Sequence, residues 1–175
     1  MRMVPKAFVQ YLVHFHGDRD YFECHEILED YWKEVDPGNK NSIWVGFIQL
    51  AVSSYHYRRG NLSGALRTLE KAYSILESQR QNCHNLGIDH TLILRLLEEQ
   101  RYKISAKIPY KSVTIPINDQ SLLNLCKQEC KKQGVIWGEG SNLENTKLIH
   151  KHSLRDRTDV ILEREKELKK RKKRQ

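Results

Sequence analysis

The sequence predicts a mainly α protein: a compact antiparallel bundle of about five helices, then a small strand–helix–strand C-terminal appendage and a basic tail. Three observations carry this. Apolar residues recur at three-and-four spacing through most of residues 5–107, and the runs are punctuated by Gly, Pro and Asp. The stretch from Asn41 to Tyr57 holds no Asp, Glu, Lys or Arg, the pattern of a helix buried on every side. After Pro109 the pattern changes to the β-branched run Val113-Thr114-Ile115-Pro116-Ile117. The expected division is a helical bundle over residues 1–108, a small α+β appendage over 109–140 and a helical or disordered basic tail over 141–175.

The first helix runs from Pro5 to His16. Phe8, Tyr11, Leu12 and Phe15 give it an apolar face, Pro5 suits a first turn, and Gly17 ends it. Asp20 is the expected N-cap of the second, with Glu23 at capping-box spacing. That helix spans about Tyr21 to Val35 and stops at Asp36-Pro37-Gly38. Asn41 or Ser42 caps the third, which reaches about Arg59 and is the expected central element. Arg58 and Arg59 fall in its last turn, where the helix dipole favours cations, and Gly60 follows as the stop. The short Gly60-Asn61-Leu62 link turns the fourth helix, about Leu62 to Arg80, back antiparallel. Leu62, Ala65, Leu66, Leu69, Ala72, Tyr73 and Leu76 form its core stripe. A fifth begins near Asp89 and carries Leu92, Ile93, Leu96 and Leu97.

Beyond Pro109, residues Val113 to Ile117 read as a short strand, placed at an edge because Pro116 withholds a donor. Ser121 to Lys132 reads as a helix and Val135-Ile136-Trp137 as a second strand. These pieces make either a strand–helix–strand unit or an arm laid on the bundle.

Charge is unevenly distributed. The chain carries +8 overall, yet residues 150–175 hold eleven Lys or Arg against five acids, ending Lys169-Lys170-Arg171-Lys172-Lys173-Arg174. Such a run attracts RNA, DNA or an anionic membrane with strong salt dependence, or serves as a solubilising tail with no partner. No aromatic residue lies between 138 and 175, so nothing there stacks on bases. The 39% apolar share rules out wholesale disorder, and the composition excludes collagen-like and disulfide-stapled classes. Met1 to Gln10 lacks the apolar core of a secretory leader, and no run is long and apolar enough to span a bilayer. The four cysteines therefore read as reduced thiols of a cytoplasmic protein. Neither G-x-x-x-x-G-K nor G-x-G-x-x-G occurs, and Gly138-Glu139-Gly140 is too short a phosphate loop.

The candidate site lies on helices two and three. Phe22, His25, Glu29 and Trp32 fall on one stripe, as do Gln49, Val52, His56 and Arg59. Buried aromatics draw the polar groups between them inward. His25, Glu26 and Glu29 are therefore expected to approach Gln49 and His56. Three readings of this cluster compete. One is a satisfied polar network locking two helices, joined by Trp32, Gln49 and Asn61. Another is a divalent-metal site with His25 and Glu29 at i, i+4 and His56 as third ligand, although H-E-x-x-E differs from the H-E-x-x-H of zinc proteases. The last is a catalytic or ligand site, with His25, Glu26, Glu29 and His56 as acid–base candidates. No nucleophile stands out, and Cys24 points about 100° away from His25 on a helix.

Phe22-Glu23-Cys24-His25-Glu26-Ile27-Leu28-Glu29, then Trp32, Gly46-Phe47-Ile48-Gln49-Leu50-Ala51, His56, Arg59-Gly60-Asn61 and Gly64-Ala65 together resemble the signature of the domain of unknown function 309 family, small all-helical bacterial and archaeal proteins. The resemblance spans roughly residues 15–80 and implies a fold rather than an activity. It singles out His25, Glu26, Glu29, Trp32, Gln49, His56, Asn61 and Gly64 in this chain. The reading reached here is a cytosolic helical-bundle protein acting as a binding or scaffold module, with a possible protein partner and no cofactor expected. The alternatives are a metal-dependent or hydrolase-like enzyme using His25, Glu26, Glu29 and His56, or nucleic-acid binding through residues 150–175.

Overall fold

In the computed structural model, the described residues are 3–154 and 158–173, with backbone alone for 158–160. Parts of the N-terminal and tail readings, at Met1, Arg2, residues 155–157, Arg174 and Gln175, lie outside the described residues. Asx caps start several of the helices. Asp20 Oδ1 accepts the Glu23 amide at 3.1 Å, opening α2 (Tyr21–Val35). Asn61 Oδ1 accepts the Gly64 amide at 3.1 Å, opening α4 (Leu62–Glu77). The reciprocal half of the expected capping box is not made, because Asp18 Oδ1 takes the Asp20 amide at 3.2 Å.

α1 (Lys6–His16) packs on α2, and α2 on α3 (Ile43–Arg58); α4 returns antiparallel along the other side of α3. The uncharged α3 is the central element: Phe47, Leu50 and Ala51 are buried, and the Phe47 ring lies tilted against that of Phe8, with centroids 4.9 Å apart. Gly46 lets α4 approach, since a Cβ there would stand 2.9 Å from Leu76 Cδ2. α4 ends three residues before the expected Arg80: the Ser78 hydroxyl donates to the Ile75 carbonyl at 3.1 Å, and a short unforeseen α5 (Arg80–Asn85) follows. α6 (His90–Ser105) packs on α4 through Ile93, Leu97 and Ile104, leaving Leu92 outward rather than in the expected stripe.

The expected strand–helix–strand appendage is corrected. Among the described residues there is no strand, only an isolated antiparallel bridge between Ile88 and Ile117. The helix is real, α7 (Gln120–Lys132), and it packs on α1 through Cys126 and Cys130. The flanking segments lie as an arm on the bundle, their backbone groups satisfied by side chains and loops. The Val113 carbonyl accepts from Arg19 Nη1 at 2.6 Å, and the Ile115 amide donates to His16 Nε2 at 2.9 Å. The Gly138 amide donates to the His16 carbonyl at 2.8 Å, and Trp137 stacks 4.2 Å from the His16 ring. The β-branched composition here reflects burial of Ile115 against the bundle, not pairing with another strand.

After the arm come α8 (Thr146–Ile149), α9 (Lys151–Leu154) and α10 (Thr158–Lys172). Residues 161–173 are exposed. No described helix is long and apolar enough to cross a membrane. Cys24, Cys83, Cys126 and Cys130 are free and buried, and burial pushes the Cys83 thiol up to about 11 and that of Cys126 up to about 12.

Candidate functional site

The Asp20 cap sets the rotation of α2, so that Phe22 and His25 face α3 across a cleft. From α3, Val52, Tyr55 and His56 line the opposite wall, with Arg59 at its end. The cleft has a volume of about 290 Å³ and is open to solvent; Tyr21 and His152 complete it, and among the described residues no carboxylate lines it. His25 and His56 thus share one cavity.

Around His25, Nδ1 lies 3.2 Å from Glu26 Oε1 and Nε2 lies 2.9 Å from Glu29 Oε2. Lys33 Nζ takes the other Glu29 oxygen at 2.9 Å. Among the described residues, His25, Glu26 and Glu29 form the group whose ligand-type atoms lie within 4.8 Å of one another; His56 is outside it.

His56 is held by Asn61, whose Nδ2 lies 3.2 Å from His56 Nδ1. The amide orientation follows from its other end, where Oδ1 accepts from Gly64 N and from the Ser63 hydroxyl. Asn61 Nδ2 can only donate, so His56 Nδ1 accepts and a neutral ring carries its proton on Nε2. Burial pushes the His56 pKa below its usual value, and the nearby Arg59, Arg67 and His152 push the same way. Near neutral pH His56 is therefore an N–H donor. A metal would need the bare Nε2 that this tautomer lacks.

Arg59 supplies the fixed charge. Its guanidinium sits 5.5 Å over the Tyr55 ring, Nη1 donates to Ser153 Oγ at 3.2 Å, and its buried Nε has no partner among the described residues. A strap crosses the cleft from α9. Lys151 Nζ reaches Asp20 Oδ2 at 2.6 Å, the His152 amide donates to the Tyr55 hydroxyl at 3.1 Å, and the His152 ring packs 5.7 Å from Phe22. Burial opposes the charged Lys151, but the hydrogen bond and charge of Asp20 outweigh it and raise its pKa. Lys151→Gln is expected to increase proteolytic nicking between residues 146 and 154. The bundle's stability should change by less than about 1 kcal/mol, since the ion pair is partly exposed. Limited proteolysis and urea unfolding check both.

The other sequence candidates stand elsewhere. Gln49 lies two turns, about 10 Å, up the helix from His56 and lines a separate depression with Lys40 and Lys71. The expected approach of Gln49 to His25 is not made. Trp32 Nε1 donates to the Asn39 carbonyl at 3.0 Å, fastening the end of α2 to the following loop rather than entering the cleft. Sequence reasoning missed Lys151, His152 and Ser153, because nothing in a basic tail marks which residues fold back.

Residues 8–68 match the family model described as Domain of unknown function (DUF309). "Uncharacterized protein YpuF" of Bacillus subtilis (strain 168) is a similar relative, 51% identical over 171 residues, covering 98% of each chain. No solved structure matches.

Proposed function

We infer the function of this chain, which belongs to the domain of unknown function 309 family, from its cleft. It is a binding module of the cytoplasm that takes a small ligand joining a flat apolar body to an anionic group. The observation that carries this is an open cleft with aromatic walls and three imidazoles and a guanidinium in its lining, but no carboxylate among the described residues. Phe22 and the edge of the largely buried Tyr55 give a ring an apolar wall to pack against. Arg59 and the His56 N–H offer a charge and a directed donor to an oxyanion. The four reduced, buried thiols fit the cytoplasmic placement. The enzyme and metal readings draw less support, because His25 already faces a carboxylate on each ring nitrogen and His56 presents a proton where a ligand atom is needed.

The test is ligand-observed NMR with a panel of aromatic carboxylates and aryl phosphates against their uncharged amide or alcohol analogues. Wild-type chain is expected to retain the anions selectively. Arg59→Gln is expected to weaken retention about tenfold, the loss of one charge-assisted contact. Equal retention of charged and uncharged analogues, or no change in Arg59→Gln, refutes the reading.

A further inference from the structure

We propose a second, separate ligand site: an oxyanion pocket that takes a phosphate group where the C-terminal arm crosses the start of α2. The site is a depression of about 350 Å³ whose wall includes Arg19, Tyr110, Lys111, Ser112 and Ser141. It is distinct from the α2–α3 cleft, with which it shares no lining residue.

Two guanidinium groups lie out of water. Arg19 is 2% exposed and Arg58 is 8% exposed. Arg19 spends Nε on the Glu139 carbonyl at 2.8 Å and Nη1 on the Val113 carbonyl at 2.6 Å. Arg58 spends Nη1 on the Arg19 carbonyl at 2.7 Å and on Ser141 Oγ at 3.2 Å, and it lies 4.5 Å over the Tyr21 ring. Its Nε and Nη2 are buried with no partner among the described residues. No described carboxylate forms an ion pair with either arginine. Buried cations are ordinarily paired, so two together without an acid leave positive potential that an anion would satisfy.

The hydroxyls point to the same class of ligand. The Tyr110 hydroxyl bonds those of Tyr21, Ser112 (3.1 Å) and Ser141 (2.9 Å), and Ser112 Oγ accepts the Ser141 amide at 2.9 Å. Hydroxyls rotate to suit a partner, so this chain can turn donors toward an acceptor-only ligand. Lys111 stands exposed at the rim and adds an ammonium. Several donors of different kinds, spread around one depression, suit a tetrahedral phosphate with three or more free oxygens better than a planar carboxylate. The backbone agrees: Arg19 holds a left-handed φ of 57°, a conformation unfavourable outside glycine that recurs at ligand sites. Gly138 and Gly140 line the lip, and a Cβ at either would meet nothing within 4 Å, so a ligand can come close to the main chain there.

Inorganic phosphate and a phosphomonoester share this chemistry. Isothermal titration calorimetry of the full chain, at fixed ionic strength with chloride as control, tests it with inorganic phosphate and with methyl phosphate, neither of which carries the flat apolar body the α2–α3 cleft takes. Saturable binding of either probe is expected, and whichever binds tighter identifies the source. Lys111→Gln changes one exposed group at the rim, so the variant should fold, and it is expected to weaken binding about tenfold. Lys131→Gln, which removes an exposed charge on α7 outside both sites, is expected to leave phosphate binding unchanged. The proposal is overturned if neither probe exceeds the chloride control, or if Lys111→Gln binds as wild type.

Discussion

Between pH 6.5 and about pH 3 the fold is expected to lose a little over 1 kcal/mol of stability per pH unit through His16 alone, on the order of 5 kcal/mol across the interval. Burial lowers the His16 pKa from 6.5 to about 3; the hydrogen bond to the Leu12 carbonyl opposes the shift and the Arg19 charge adds to it. The ring is committed on both sides. Its Nδ1 lies 2.8 Å from the Leu12 carbonyl and its Nε2 accepts the Ile115 amide, so a second ring proton would face an N–H. Below 6.5 the unfolded chain takes up a proton that the native chain refuses. Stability is therefore full above the unfolded value and drains away as pH falls toward the folded one. His56, also lowered, acts in the same sense more weakly. His14 acts in the opposite sense: burial opposes its charge, but the hydrogen bond and charge of Asp18 prevail and raise its pKa, so its contribution is largest in acid. Urea unfolding at pH 7, 5.5 and 4.5 checks the balance. His16→Met is expected to be less stable at pH 7 and to show a shallower acid limb; parallel limbs would remove His16 from the account.

The second large effect is Phe47→Ala, expected to lower stability by about 3–5 kcal/mol and the melting midpoint by roughly 10 °C. Phe47 is fully buried at the centre of α3, with its ring against Phe8 and Tyr11. Its carbonyl accepts the Tyr11 hydroxyl at 2.8 Å, so a cavity here also loosens the contact between α1 and α3. Differential scanning calorimetry reads the shift. A drop of under about 1 kcal/mol would mean that neighbouring side chains collapse into the space.

The helix starts and the central helix were legible because their causes are local. Asp20, Asn61 and Asp89 each sit three residues from the amide they cap, and the uncharged run of α3 needs no knowledge of its neighbours. The stripe rule also brought His25 and His56 to one cleft. It misplaced Gln49, because a shared helical face still runs the length of the helix. An arm laid on the bundle was one of the two alternatives the sequence offered, but where it docks was not legible, for a different reason. Ile115 finds its acceptor on His16, 99 residues earlier in the chain, and Val113 its donor on Arg19, 94 residues earlier. Lys151 meets Asp20 across 131 residues. Composition near Val113 signals an extended apolar segment but not which surface receives it.

The placement of the sulfur atoms bears on how this chain ages. Cys24 sits between α1 and α2, its Sγ donating to the Tyr11 carbonyl, while Cys130 sits between α7 and α1 against the Val13 carbonyl. A buried thiol held in its protonated state is slow toward peroxide and electrophiles, because thiolate and access are both withheld. Oxidative damage therefore accumulates on molecules that have already opened, and the position of the oxidised sulfur records which seam parted first.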